Sequence, residues 1–278
     1  MTMQIAGFMQ VFNGAENGML ERALTSLWKV CDQVFIYDDA STEPVRPIYE
    51  KYDCIVLYGT VNAFHLELQH KQALLSVVLR HHPDWVVWHD LDALLGQHFE
   101  DRARTEHTLQ QCEANGIELL HIHNCNLWRS PWWYRTDQEF DGLWHGVFWK
   151  VNPEMHYQPI GKLHQKQYPL FHRDPNTPIT ASKFEPQTGQ LLHFGFASNE
   201  EIAKKYFIYR ASGQRGYPLD RLVDESTLAL QPSDVAWFPE WLRPALGQAG
   251  SMPPPCFSPA RMAEFTSFEE WKAVQNGT

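Results

Sequence analysis

The chain has 278 residues, of which 44% are hydrophobic and 13% aromatic; this composition supports a hydrophobic core and excludes an intrinsically disordered protein. The formal net charge is −10, from 23 basic and 33 acidic residues, which excludes a general nucleic-acid-binding surface, so we expect no nucleic-acid partner. The length allows one large domain or two small ones.

The N-terminal residues and the cysteines favour a protein that is not exported. The N-terminus lacks the basic flank and the long apolar segment of a signal peptide. No apolar run approaches the ~20 residues of a transmembrane helix. The five cysteines are widely spaced and form no Cys-x-x-Cys pair, which is typical of reduced thiols. We therefore expect a cytoplasmic protein with no transmembrane segment.

Apolar runs alternate with amphipathic segments over the first hundred residues. The pattern predicts strands at residues 4–11, 34–37, 54–58 and 85–88, and helices at residues 19–30 and 65–81. Strands that alternate with helices predict a parallel sheet covered by helices.

The rest of the chain is less regular. It predicts strands at residues 118–128, 146–151 and 190–196, a helix at 199–210, and a last short helix at 265–271. No linker divides the chain cleanly. We therefore predict a single α/β domain over residues 1–230 with a mostly parallel central sheet, followed by an irregular, Pro-rich extension over residues 231–278 that packs on it.

Two carboxylates follow the most apolar of these strands. The run 85–88 leads through His89 into Asp90 and Asp92, whose i, i+2 spacing places both side chains on one side of an extended backbone. Ligands of open α/β sheets bind beyond the carboxyl ends of the strands. Carboxylate oxygens suit Mg²⁺ or Mn²⁺ together with substrate phosphates. The spacing favours a metal or phosphate site over a solvated turn.

Further polar motifs follow other predicted strands. They are Val11-Phe12-Asn13-Gly14-Ala15-Glu16, Ile36-Tyr37-Asp38-Asp39-Ala40-Ser41-Thr42, and His193-Phe194-Gly195-Phe196-Ala197-Ser198 with Lys204-Lys205-Tyr206 and Tyr209 after it. Together with residues 85–92, and in this order, they resemble the GT-A-fold glycosyltransferases of the family 2-like group. The resemblance covers about residues 4–230.

The resemblance implies a donor site for a nucleotide-diphosphate sugar. It implies a nucleotide-binding half at about residues 1–95 and an acceptor and metal half at about 96–230. Asp90, Asp92 and His193 would hold Mn²⁺ or Mg²⁺ on the diphosphate, where the ion acts as a Lewis acid. The other residues expected at the donor are Phe12, Asn13, Glu16, Asp38, Asp39, Lys71, Lys150, His164 and Lys205, with the three lysines as candidates to neutralise phosphate.

The acceptor side is less defined. We expect transfer to a hydroxyl of a glycan, a lipid-linked or another acceptor, with inversion; a retaining mechanism, which needs no catalytic base, stays open at the level of sequence. An inverting reaction needs a carboxylate that takes the proton of the acceptor hydroxyl. Asp141 is the candidate for this catalytic base, with Asp137 and Glu139 as alternatives.

Several alternatives remain open at the level of sequence. Asp38 and Asp39 also fit a turn closed by Asx hydrogen bonds, and His193 also fits a core histidine. The Trp-rich segment 128–149 fits either a protein core or a platform for a sugar. The rival functions are a metal-dependent phosphohydrolase and a non-catalytic carbohydrate-binding protein built on that segment.

Overall fold

The computed structural model describes residues 2–137, 140, 142–157, 168–174, 176–211 and 219–276. The chain divides into two compact units, each built from two separate segments. Unit 1 consists of Met1–His123 and Trp144–Leu191, and unit 2 of Asn124–Leu143 and Leu192–Thr278. This division does not follow the boundary at residue 230 that the sequence predicts.

The elements are numbered in chain order. The strands are β1 (Ile5–Val11), β2 (Gln33–Asp38), β3 (Ile55–Tyr58), β4 (Trp85–Trp88), β5 (Ala93–Leu95), β6 (Leu119–Asn126), β7 (Trp133–Arg135), β8 (Trp144–Lys150), β9 (Ala181–Phe184), β10 (Leu191–His193) and β11 (Leu230–Pro232). The helices are α1 (Met19–Trp28), α2 (Arg46–Lys51), α3 (Glu67–Arg80), α4 (Arg102–Ala114), α5 (Asn199–Ala211), α6 (Leu219–Val223), α7 (Pro259–Ala263) and α8 (Phe268–Gln275). None of the helices in the described ranges is long and apolar enough to span a membrane.

Unit 1 is built on a mostly parallel sheet with the strand order β3-β2-β1-β4-β8-β6. Strands β3, β2, β1 and β4 pair in parallel, β8 is antiparallel to both of its neighbours, and β9 pairs in parallel with β6. Parallel sheets need cover on both faces, which explains why all four residues of β4 are buried. The prediction of an α/β fold with a mostly parallel central sheet is confirmed.

Apolar side chains of the sheet and of α3 form the core of unit 1. Leu74, Leu75 and Val78 lie on one side of α3 and are fully buried, and α3 packs on β1 and β2. On the same side of the sheet Phe8 and Trp149 meet with their ring centroids 5.5 Å apart. Each such buried apolar side chain contributes about 1.5–3 kcal/mol to stability. The helical periodicity of the sequence thus corresponds to the buried side of α3.

Unit 2 has its own core, centred on Trp128. The guanidinium of the fully buried Arg135 lies 4.5 Å from the ring centre of Trp128 and 4.4 Å from that of Phe140. Asp137 accepts two hydrogen bonds from this guanidinium, both at 2.8 Å. In the same unit, β7 and β11 pair as a short antiparallel sheet. Trp128 is therefore a core residue and is not available to an acceptor sugar.

Candidate functional site

The loops after β1 and β2 are hydrogen-bonded to each other at the carboxyl edge of the parallel strands. Asn13 has a left-handed backbone with φ 64°, a conformation that asparagine tolerates. Its side-chain oxygen accepts hydrogen bonds from the backbone N–H groups of Thr42 at 2.8 Å and Glu43 at 3.2 Å. Its own N–H donates to the Oγ of Ser41 at 2.8 Å. Asn13 therefore holds the two loops in register.

Glu43 makes the same connection in the opposite direction. Its Oε2 accepts hydrogen bonds from the backbone N–H groups of Ala15 at 2.6 Å and Glu16 at 3.0 Å. Glu43 directly follows the quoted Asp-Asp-Ala-Ser-Thr motif, yet sequence reasoning did not select it. The available signal is the Asn13-Gly14 turn, whose following N–H groups leave the strand ladder and need an acceptor.

The loop after β4 lies against the loop after β1. Gly14 has φ 94°, and a Cβ atom added to it would stand 2.9 Å from the Cδ2 of Leu91. Glycine is favoured here because the backbone conformation is strained for other residues, and a Cβ atom would also force the Leu91 side chain to shift. Leu91 separates Asp90 from Asp92, so the carboxylate pair is next to the Asn13-Gly14 turn. Three of the predicted motifs thus meet at one edge of unit 1.

Asp38 and Asp39 are both buried, and both shape this edge. Asp38 accepts a hydrogen bond at 2.8 Å from the N–H of Ser41, three residues on, so its side chain closes the turn after β2. Asp39 accepts from the N–H of Ala63 at 3.0 Å and from the side-chain amide of Asn62 at 3.2 Å. Asp38 therefore closes a turn through its side chain, as the alternative reading of the sequence allowed, and Asp39 fixes the loop after β3.

An aromatic pair adjoins Asp39. The rings of Tyr37 and His70 stack with centroids 4.1 Å apart and an angle of 12°, and the Nδ1 of His70 lies 3.7 Å from a carboxylate oxygen of Asp39. Burial lowers the pKa of His70, and the Asp39 carboxylate opposes this shift only in part. Burial also raises the pKa of the Tyr37 phenol, with a smaller contribution from Asp39. Both rings are therefore uncharged near neutral pH.

The turn with the Asp90 and Asp92 carboxylates is anchored by the buried His89. The Nδ1 of His89 lies 2.8 Å from the backbone oxygen of Asp90, and the same oxygen accepts from the N–H of Ala93 at 3.0 Å. The Asp90 side chain is exposed and that of Asp92 is half-buried, so a ligand can reach both. Sequence reasoning assigned no role to His89.

Asp90 and Asp92 fit a metal site that water and substrate phosphates complete, and not a site made by protein side chains alone. Within the described ranges, no three His, Cys, Asp or Glu side chains are grouped as a site made by protein alone requires. Mg²⁺ and Mn²⁺ are commonly held by one or two carboxylates, with water and substrate phosphates as the other ligands. The exposed Asp90 and its neighbour Asp92 suit that arrangement.

The two predicted lysines of unit 1 have different surroundings. Lys71 is buried, with its ammonium 2.5 Å from the carboxylate of Glu67 and 5.0 Å from the ring centre of Trp88. Lys150 pairs with the first residue of β4 and forms an ion pair of 3.0 Å with Glu113. It therefore lies at the edge of the sheet opposite to Asp90, where a phosphate at the strand ends would not meet it. Lys150 is the last residue of β8, and β8 runs antiparallel to β4, so Lys150 lies beside the start of β4. The sequence pattern does not reveal this direction.

The exposed residues of the first loop remain accessible. The side chain of Phe12 is 46% exposed, which is unusual for a phenylalanine and leaves its ring open to a ligand. The Glu16 side chain is exposed as well, although its backbone is held by Glu43.

The remaining predicted residues belong to unit 2 or lie outside the described residues. His193 follows Leu192 at the end of β10, and Lys205 is on α5. The Nδ1 of His193 lies 2.8 Å from the Oδ1 of Asn126, and its Nε2 lies 3.2 Å from the ammonium of Lys205. Asp137 forms an ion pair of 2.8 Å with the buried Arg135. The predicted residues Asp141, Glu139 and His164 lie outside the described residues.

Comparison with known proteins gives similarity to solved structures only. No protein family model matches the sequence, and no curated protein does. The chain is similar to the structure of Staphylococcus aureus TarS residues 1–349, with 13% identity over 80% of this chain and 70% of that one and a TM-score of 0.46. For the same protein with UDP the identity is 11% over 99% of this chain and 92% of that one, and the TM-score is 0.42. For its complex with UDP-GlcNAc the identity is 18%, the TM-score 0.36, and the match spans 45% of this chain and 36% of the TarS chain.

Proposed function

We propose that the protein is a glycosyltransferase that moves a sugar from a nucleotide-diphosphate donor to a hydroxyl acceptor. The observation that carries this proposal is the strand-end edge of unit 1, where the loops after β1, β2 and β4 are joined by Asn13, Glu43 and the contact of Gly14 with Leu91. This edge is where open α/β sheets bind nucleotides. It presents the accessible carboxylates of Asp90 and Asp92 next to a rigid turn.

Different residues of this edge would contact the base, the nucleoside and the diphosphate of the donor. The exposed ring of Phe12 offers a face for the base, and the buried Asp38 and Asp39 fix the loops that would surround the nucleoside. Asp90 and Asp92 would hold Mn²⁺ or Mg²⁺ on the diphosphate. The ion would supply the charge that stabilises the leaving diphosphate. Because the loops are already held by hydrogen bonds, the donor would bind without the entropic cost of ordering them.

On the acceptor side the proposal keeps the inverting mechanism, in which a carboxylate takes the proton of the attacking hydroxyl. Asp141 stays the predicted base. Asp137 is a poor candidate for the base, because the buried guanidinium of Arg135 already donates a hydrogen bond to each of its two oxygens.

The test is a binding measurement with matched variants. UDP, which is bound in a TarS structure, and a panel of other nucleoside diphosphates and nucleotide sugars are added to the protein with Mn²⁺ or with EDTA, and the melting temperature is recorded. A ligand that binds only the native state raises this temperature by mass action. We expect a Mn²⁺-dependent rise with one nucleotide family. Asp90→Asn and Asp92→Asn should each weaken binding about tenfold or more, since each loses a charged metal ligand.

Asp53→Asn is the matched control for the loss of one carboxylate. Asp53 is exposed, has a left-handed backbone with φ 45° that asparagine accepts, and precedes β3 at the opposite edge of the sheet. A response to free glycans that ignores EDTA and both aspartate variants would instead identify a carbohydrate-binding protein. Steady release of phosphate from the nucleotide without an acceptor would identify a phosphohydrolase.

A further inference from the structure

Arg46 and Tyr58 form an exposed cation–π pair at the strand-end edge of unit 1. Arg46 is the first residue of α2, which follows the loop after β2, and Tyr58 is the last residue of β3. The Cζ of Arg46 lies 5.3 Å from the ring centre of Tyr58. The buried Tyr49 lies beside the same ring, with centroids 6.4 Å apart, and Tyr58 is still 51% exposed. The Arg46–Tyr58 pair is therefore held in place and open to solvent.

Arg46 keeps its positive charge and most of its hydrogen-bond donors. It is exposed and forms no ion pair with any other described residue, although Glu43 and Glu50 are three and four positions away from it. A contact with an aromatic face does not neutralise a guanidinium, which has five N–H donors and no acceptor. An acceptor atom of a ligand can therefore replace water at this group.

Exposed apolar side chains surround the same loops. Phe12, after β1, is 46% exposed, and Val61, after β3, is 65% exposed. The backbone N–H of Asp39 donates to the oxygen of Val11, which precedes Phe12. The side-chain amide of Asn62, which follows Val61, donates to the Asp39 carboxylate at 3.2 Å. The ends of β1, β2 and β3 thus offer apolar side chains for the faces of a flat ring and a guanidinium for its edge, a combination typical of ligand sites.

The two aspartates of the loop after β2 are not open in the same way. Asp38 and Asp39 are only 3% and 5% exposed. The carboxylate of Asp38 accepts a hydrogen bond from the N–H of Ser41. The carboxylate of Asp39 accepts from the N–H of Ala63 as well as from the side chain of Asn62. The guanidinium beside them is therefore more accessible to a ligand than either carboxylate.

The order of the strands relates the Arg46–Tyr58 pair to the proposed metal carboxylates. In the order β3-β2-β1-β4, Tyr58 ends β3 and Asp90 follows β4, three strand spacings away. Neighbouring strands are about 4.8 Å apart, so the two positions are separated by roughly 14 Å. A nucleotide whose diphosphate lies at Asp90, and which extends over the loops after β1 and β2, brings its base to the ends of β2 and β3.

We infer that Arg46, supported by Tyr58, is a specificity-determining residue that binds a carbonyl oxygen of the base. The inference rests on the proposed function, which places a nucleotide on this edge. Uracil, thymine and guanine present a carbonyl oxygen at the position where cytosine and adenine present an amino group. A guanidinium can only donate, so it pairs with the carbonyl and finds no acceptor in the amino group. The donor is accordingly a nucleotide sugar with an oxo base.

The test compares nucleoside diphosphates of the same ring size by calorimetry with Mg²⁺ present. UDP is compared with CDP, and GDP with ADP, because each comparison exchanges a carbonyl for an amino group. For the ring size that the protein accepts, the oxo nucleotide should bind about tenfold or more tightly than the amino nucleotide. Inorganic pyrophosphate, which has no base, measures the contribution of the phosphates.

Variants of Arg46 and Tyr58 assign this preference to its residues. Arg46→Met should reduce the preference for the oxo base to about threefold or less and leave pyrophosphate binding unchanged. Arg46→Lys, which keeps the charge but loses the planar fork of donors, should lose most of the preference too. Tyr58→Leu should reduce it in part, whereas Tyr58→Phe keeps the aromatic face and should retain it. Arg80→Met is the matched control, because Arg80 is an exposed arginine at the end of α3, on the opposite edge of the sheet.

Melting temperatures confirm that each variant is folded. Equal affinity for the oxo and the amino nucleotide, or tighter binding of CDP or ADP, would overturn the inference. So would a preference that Arg46→Met leaves unchanged. A loss of pyrophosphate affinity in Arg46→Met that equals its loss of UDP or GDP affinity would overturn it as well, since Arg46 would then bind phosphate. A wild-type protein that binds none of the four diphosphates would refute the proposed function itself, which is a different result.

Discussion

His89 is the residue whose acid–base chemistry is most changed by its surroundings. It is fully buried, and burial lowers its pKa from 6.5 to about 4, although the backbone oxygen of Asp90 and the charge of Asp92 both favour the protonated form. Its Nε2 has no hydrogen-bond partner, so a proton added there would have no acceptor. His89 is therefore neutral in the native protein and serves as a fixed donor to the turn of Asp90.

This shift predicts a loss of stability in mild acid. The unfolded chain takes up a proton on His89 near pH 6.5 and the native protein only near pH 4, so the unfolded state binds more protons between these values. The contribution of His89 to the free energy of unfolding should be fully present above pH 6.5. The free energy of unfolding should then fall by roughly 3 kcal/mol as the pH drops to 4. Urea unfolding of metal-free protein at several pH values, compared with His89→Phe, measures this contribution. Equal pH slopes in both proteins would contradict it.

Single residues show what a sequence can and cannot reveal about a site. Asp90 and Asp92 were predictable, because an apolar run that ends in two carboxylates is a local pattern. The partners of His193 were not, since Asn126 and Lys205 are 67 and 12 positions away from it. A local motif therefore does not reveal which distant side chains contact its residues.

At the scale of elements, the loops after β1 and β2 behave as one structure. The carboxylate of Glu43 receives both N–H groups that follow the Asn13-Gly14 turn, and the side chain of Asn13 receives the N–H groups of the second loop. Neither loop can change its conformation without breaking the bonds of the other.

Removing Glu43 tests this coupling. Glu43→Ala should lower the free energy of unfolding by roughly 1–2 kcal/mol, a moderate value because Glu43 is half-exposed, and should weaken donor binding further by loosening the first loop. Calorimetric melting and a UDP titration measure the two effects. Glu50→Ala, at an exposed site on α2, is the control and should change neither. If Glu43→Ala bound UDP with wild-type affinity, the coupling would not matter for the donor.

The elements with many large apolar side chains could be predicted from the sequence, and those with few could not. Strands β1 to β4 and helices α1 and α3 have buried sides made of large apolar residues, and the sequence places them within a few positions. Helix α4 was missed, because its buried side consists of Thr105, Thr108, Leu109 and Cys112, which form no apolar stripe. Strand β5 was missed as well, since three residues carry too little periodicity to register.

At the scale of the whole molecule, a buried ion pair stabilises unit 2. Arg135 is fully buried between aromatic rings and shares two hydrogen bonds with Asp137. Arg135→Met should destabilise the protein by about 3–5 kcal/mol, because Asp137 would keep a buried and uncompensated charge. The double variant with Asp137→Leu should recover much of this loss. Urea unfolding of both variants decides the point, and similar stabilities for single and double variants would speak against it.

The division into two units has a consequence for the order in which the chain can fold during synthesis. Domains generally fold as units, those nearest the N-terminus first, as the chain leaves the ribosome. Here the segment Asn124–Leu143 emerges before Trp144–Leu191, yet the first belongs to unit 2 and the second completes unit 1. Trp128, Arg135 and Phe140 therefore cannot be buried in the core of unit 2 until residues 192–278 have been made. A nascent chain stalled between these points exposes Trp128, Phe140 and Arg135, which are buried in the folded protein, and exposed apolar surface of this kind favours aggregation.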